Sequence, residues 1–71
     1  MITTMNFMDK YSLIGIDGNA YSVMGYVTRA MRREGMTSDK IGEYLNKARS
    51  SDYNHLLAIS ADILLELNNK Q

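Results

Sequence analysis

Gly18-Asn19-Ala20-Tyr21-Ser22-Val23-Met24-Gly25-Tyr26-Val27-Thr28-Arg29-Ala30-Met31-Arg32-Arg33-Glu34-Gly35 reads as an amphipathic helix, and its faces decide how the rest of the chain is arranged. Counted from Ala20 at about 100° per residue, Ala20, Val23, Met24, Val27, Ala30 and Met31 share one side, the i, i+3, i+4, i+7 spacing of a core-facing stripe. Asp17 or Asn19 can accept from the free amides of the first turn, and Gly35 suits the left-handed residue that ends a helix. Arg29, Arg32 and Arg33 stand toward the C-terminal end, where positive charge complements the helix dipole.

Away from the core stripe the helix carries two strips. Ser22, Arg29 and Arg33 form a solvated one, and Tyr21, Gly25, Thr28 and Arg32 form a second beside it. A glycine inside a helix costs about 1 kcal/mol relative to alanine, so Gly25 predicts a close neighbour. That neighbour is either a binding partner, with Tyr21 and Arg32 as the anchoring side chains, or the chain's own N-terminal arm.

Two further helices follow. Thr37 is the expected N-cap of a helix over 38–49, with Met36 and Ile41 in staple positions and Ile41, Tyr44, Leu45 and Ala48 facing the core. Ser50-Ser51-Asp52 is a cap cluster opening a helix over 52–68, after which Asn68-Asn69-Lys70-Gln71 reads as a frayed tail. Tyr53, Leu56, Leu57, Ser60, Ile63, Leu64 and Leu67 line its core face. Ile59 on one flank and Ala58, Ala61 and Leu65 on the other make its apolar arc wider than one short partner helix covers. Residues 1–17 are β-branched and aromatic on both sides of Met8-Asp9-Lys10, which fits either a short β-hairpin or an extended arm whose Leu13, Ile14 and Ile16 cover the core. The expected fold is therefore mainly α: one small three-helix domain over residues 1–71, with helices at 18–35, 38–49 and 52–68 and an N-terminal arm or hairpin.

Composition excludes several classes of function. Without cysteine there are no disulfides, thiolate nucleophiles or cysteine zinc sites, and one histidine cannot build a metal cluster. Eight Lys plus Arg against eight Asp plus Glu leave no overall field for nucleic acid or an anionic membrane. No run approaches the ~20 apolar residues of a membrane span, and the first residues lack the basic and apolar regions of a signal peptide. The expectation is a cytoplasmic protein with no cofactor and no metal. With 71 residues, a single core is barely sufficient, which favours oligomers.

The combination Asp17-Gly18-Asn19-Ala20-Tyr21, Met24-Gly25, Arg32-Arg33-Glu34-Gly35 and Asp52-Tyr53-Asn54-His55-Leu56-Leu57 resembles a group of small proteins encoded by bacteriophages and other mobile elements. The resemblance spans about residues 16 to 57 and differs at Tyr21, where relatives carry Phe, at Ser51 for Gly, and at Asn54 for a second Asp. It implies a genomic setting, that of a phage or mobile element, and no particular activity.

Two constellations bear on chemistry. Gly15-Ile16-Asp17-Gly18-Asn19 precedes a helix N-terminus, but it lacks the lysine and glycine spacing of phosphate loops, and Asp17 would repel an anion. It also supplies too few oxygens for calcium. Asp52-Tyr53-Asn54-His55 places a carboxylate, a phenol and an imidazole within one turn, yet the helical wheel points Tyr53 inward and His55 outward, so no enzyme is expected. The reading preferred from sequence is an accessory protein acting by protein–protein binding, self-associating and able to meet a host protein, through Tyr21, Gly25, Thr28 and Arg32. The alternative is nucleic-acid or nucleotide binding through phosphate contacts at Arg29 and Arg33.

Overall fold

The computed structural model describes residues 10–69, which form three helices and, among those residues, no strand. Helix α1 spans Ala20–Arg33, α2 Ser38–Arg49 and α3 Tyr53–Asn69, and each packs against the other two. No helix among the described residues is long and apolar enough to cross a membrane.

The helix ends follow from local chemistry. Asn19 caps α1 by accepting from the Tyr21 amide at 2.8 Å, while Asp17 accepts from the Asn19 amide at 3.1 Å and so forms the turn that feeds the cap. At the other end Gly35 takes φ +84°, the Met36 amide donates to the Met31 carbonyl at 2.9 Å, and the Gly35 amide donates to Arg32 at 3.0 Å. This paired closure satisfies two of the orphan carbonyls and requires the left-handed conformation that glycine adopts without penalty. Thr37 caps α2 by accepting from the Lys40 amide. The cluster at 50–52 divides between two helices: Ser50 and Ser51 donate their hydroxyls to the last carbonyls of α2, and Asp52 alone opens α3 by accepting from the His55 amide at 2.8 Å.

The core is one cluster. Val23, Met24, Val27, Ala30 and Met31 of α1, Ile41, Tyr44 and Ala48 of α2, and Leu56, Leu64 and Leu67 of α3 are buried, as the periodicity predicts. Ser60 is fully buried in the same α3 row, and its Oγ lies 2.6 Å from the Tyr44 hydroxyl, so neither polar group is stranded. Tyr53 departs from expectation. It is 44% exposed, because its hydroxyl reaches sideways to donate to the Gly18 carbonyl instead of entering the core.

Of the two N-terminal alternatives, the hairpin falls largely on residues 1–9, which lie outside the described residues, and residues 11–16 form no strand. Leu13 to Ile16 form a turn in which the Ile16 amide approaches the Leu13 carbonyl at 3.5 Å and Gly15 sits at φ +87°, the third-position geometry of a type II turn. That turn breaks any strand and lifts Ile14 at its corner to 78% exposure, whereas Leu13 and Ile16 pack against the core as expected. Tyr11 anchors this arm. It is buried, its amide donates to Asn68 Oδ1 at 2.9 Å and its carbonyl accepts from Asn68 Nδ2 at 2.9 Å. Asn68 is therefore not part of a frayed tail but the helical residue that clamps the arm to the end of α3.

The buried Tyr44–Ser60 pair provides a sharp check on this packing. Tyr44→Phe or Ser60→Ala alone should cost about 1–3 kcal/mol by leaving a buried hydroxyl without its partner, and the double variant should cost less than the sum of the two. Chemical denaturation of the four proteins measures the coupling. Burial also raises the Tyr44 pKa above 10.0, the Ser60 hydrogen bond partly offsetting this. The folded state thus holds the proton more tightly than the unfolded one, so the stabilisation is complete below pH 10 and declines as pH rises through the folded pKa. Melting temperature should fall more steeply above pH 10 in the parent than in Tyr44→Phe.

Candidate binding surfaces

The strip predicted on α1 does not form one surface. Tyr21 is 80% exposed and Arg32 is exposed, but Thr28 between them is buried and donates its hydroxyl to the Gly25 carbonyl at 3.1 Å. Threonine tolerates this buried position because its hydroxyl is satisfied within its own helix. The neighbour predicted at Gly25 is absent among the described residues. A Cβ placed there would meet only Arg29 Nη1, at 3.5 Å, an ordinary contact with the tip of a flexible side chain on the same helix.

Two other surfaces are better defined. The first is apolar and runs along α3. Leu65 is 60% exposed, Ala58 and Ala61 are exposed, and Leu57 is half-buried. Between this flank and the arm lies a cleft of about 510 Å³, lined by Leu13, Ile16, Val23, Leu57, Ala58 and Ala61 among others. A smaller cleft of about 200 Å³ continues from it past Leu65, sharing Leu13 and Ala61. None of the residues lining either cleft is charged. Tyr53, whose hydroxyl ties α3 to the Gly18 carbonyl, closes one end.

The second surface is cationic. Arg29 and Arg33, one turn apart on α1 and both exposed, line a cleft of about 260 Å³ with Lys10, Tyr11, Tyr26 and Ala30. Its floor is rigid. The Tyr11 and Tyr26 rings meet edge to face with centroids 6.5 Å apart, and the Tyr26 hydroxyl accepts from the Ser12 amide at 3.1 Å. Glu34 accepts from Tyr11 Oη at 2.6 Å and from Lys10 Nζ at 3.1 Å. The Tyr11 hydroxyl is held above its ordinary pKa of 10.0, first by burial and then by its bond to Glu34, with Arg33 and Lys10 pulling the other way.

The Asp52–His55 turn brings no chemistry together: the Asp52 carboxylate is occupied as a helix cap, Tyr53 is bound to Gly18, and His55 faces solvent. Among the described residues no group of three or more His, Cys, Asp and Glu side chains could hold a metal ion. Periodicity marked Ala58, Ala61 and Leu65 as excess apolar surface, whereas Ile14 and Tyr11 escaped it. Leu-Ile-Gly-Ile, read as a type II turn, would have placed Ile14 outward. Comparison of the chain with protein-family models, curated proteins and solved structures finds no match.

Because, among the described residues, only the Arg29 tip stands near Gly25, Gly25→Ala should raise stability, by up to about 1 kcal/mol from helix propensity. A thermal melt measures this. A loss of stability would mean that something packs on the Gly25 backbone after all.

Proposed function

We propose that this chain is a non-catalytic protein-binding module of a phage or mobile element, working in the host cytoplasm, and that its first partner is a second copy of itself. The carrying observation is the uncharged flank of α3, where exposed Leu65, Ala61 and Ala58 continue into the arm with Ile14 at its corner. A helix that is apolar around most of its circumference belongs in an interior, and α1 and α2 cover only one side of this one. Alanines at 58 and 61 let another helix approach closely, with Leu65 and Leu57 beside them to fill the contact.

The absence of charge selects a second copy as the occupant. A two-fold interface sets each residue near its own counterpart, so any charge on the patch would face a like charge at a cost. This flank avoids that penalty. A domain of 71 residues also gains more from added burial than a large one does. The genomic setting rests on the residue pattern at 16–57, and a host protein can follow as a further partner once the self-contact is made. Nucleic-acid binding has weaker support, since the cations beside Arg29 and Arg33 surround one small cleft and do not form a track.

Light scattering across low to high micromolar concentration should give a mass of twice 8.1 kDa, insensitive to added salt. Leu65→Glu and Ala61→Glu should each yield a folded monomer, since both positions are exposed in the single chain. A mass of 8.1 kDa for the parent at every concentration contradicts the proposal.

A further inference from the structure

We infer that the cleft between the arm and the C-terminal half of α1 is a binding site for a phosphomonoester, with Lys10, Tyr26, Arg29 and Arg33 as its donors. This inference is independent of self-association. Arg29 and Arg33 stand at i, i+4, where like charges repel, and α1 carries no acidic residue from Ala20 to Arg33 to relieve them. Neither guanidinium forms an ion pair among the described residues. An anion lodged between them removes the repulsion and takes up planar donor forks suited to phosphate oxygens.

The tyrosines make this a shaped site and not merely a basic patch. Tyr26 accepts from the Ser12 amide, and its own O–H proton has no acceptor among the described residues, so it remains available to a ligand at the cleft it lines. Its ring is fixed edge-on against Tyr11, and Tyr11 is itself fixed by the Asn68 clamp, so the hydroxyl is positioned before any ligand arrives. Lys10 stands at the mouth, held at 3.1 Å by Glu34.

The charge balance favours a dianion. Among the described residues at the cleft, Lys10, Arg29 and Arg33 against Glu34 leave two positive charges, and the C-terminal end of the α1 dipole subtracts only about half a charge. A phosphomonoester carries close to two negative charges at pH 7 and three acceptor oxygens, enough to meet donors arriving from several directions; a carboxylate offers one charge and two oxygens. At about 260 Å³ the cleft has room for a phosphate group and part of whatever it esterifies. Of the other cations among the described residues, Arg32 is on α1 and Lys40, Lys47 and Arg49 are on α2, and none of them lines the cleft, so successive phosphates of a nucleic-acid strand would find no second site within it.

The test is an amide-resolved NMR titration of the full chain with inorganic phosphate above pH 7, chloride holding the ionic strength constant. Saturable shifts should cluster at 10–12, Tyr26 and 29–33. Sodium acetate should bind at least about tenfold more weakly, and Arg29→Gln with Arg33→Gln should weaken phosphate about tenfold or more, as loss of charge-assisted hydrogen bonds implies. Tyr26→Phe should weaken phosphate several-fold while acetate binding barely changes, a selectivity that a purely structural role would not produce. Ribose 5-phosphate should bind at the same amides as phosphate. Linear shifts spread equally over Lys40, Lys47 and Arg49, or unchanged affinity in the glutamine variants, overturn the site. So does binding of a single-stranded oligonucleotide without binding of phosphate or ribose 5-phosphate, which would make the contact one to a nucleic-acid backbone.

Discussion

A helix whose apolar surface wraps most of its circumference cannot be satisfied by two short neighbours, and α3 is such a helix. Its row Leu56, Ser60, Leu64 and Leu67 is sealed in the common core with α1 and α2. The buried Tyr44–Ser60 hydroxyl pair constrains how α2 lies on it, because a shift of either helix would strand two polar atoms in an apolar interior. Once that row is covered, geometry leaves Leu57, Ala58, Ala61 and Leu65 for something else. The arm covers part of this remainder with Leu13 and Ile16, held in place by the Tyr11–Asn68 clamp and the Tyr53–Gly18 bond. The uncovered rest is the apolar surface on which the functional reading stands.

The parts of this arrangement that were legible in sequence are those governed by local spacing. The α1 stripe from Val23 to Met31, the caps at Asn19, Thr37 and Asp52, and the closing glycine at 35 depend on residues within a turn or two of each other, so periodicity and capping chemistry suffice. What was not legible depends on partners far along the chain. Asn68 looks like tail composition until Tyr11, 57 residues away, bonds to it twice. Tyr53 reads as core on a helical wheel, but a carbonyl 35 residues earlier draws its hydroxyl outward. Thr28 falls beside Tyr21, Gly25 and Arg32 on a helical wheel, yet the structure buries it, with its hydroxyl donating to the Gly25 carbonyl of its own helix.

The candidate sites divide in the same way. Excess apolar residues on one flank of α3 were visible as a pattern, and the structure leaves them outside the core. The cationic cleft was visible only as arginines; its tyrosine floor and lysine mouth depend on the arm folding back over α1, which a turn at Gly15 permits and no periodicity announces. Tyr11 lines the cationic cleft and the smaller apolar one alike, so a single clamp positions both surfaces.

The central claim is that the uncovered flank of α3 is closed by another copy of the chain, and the most direct measurement is an isotope-filtered NOE experiment on a mixture of 13C-labelled and unlabelled protein. Intermolecular NOEs linking the methyls of Leu57, Ala58, Ala61 and Leu65 with the same set in the other copy are the predicted result. Intermolecular NOEs confined to Tyr21 and Arg32 on α1, or none at any attainable concentration, would contradict it.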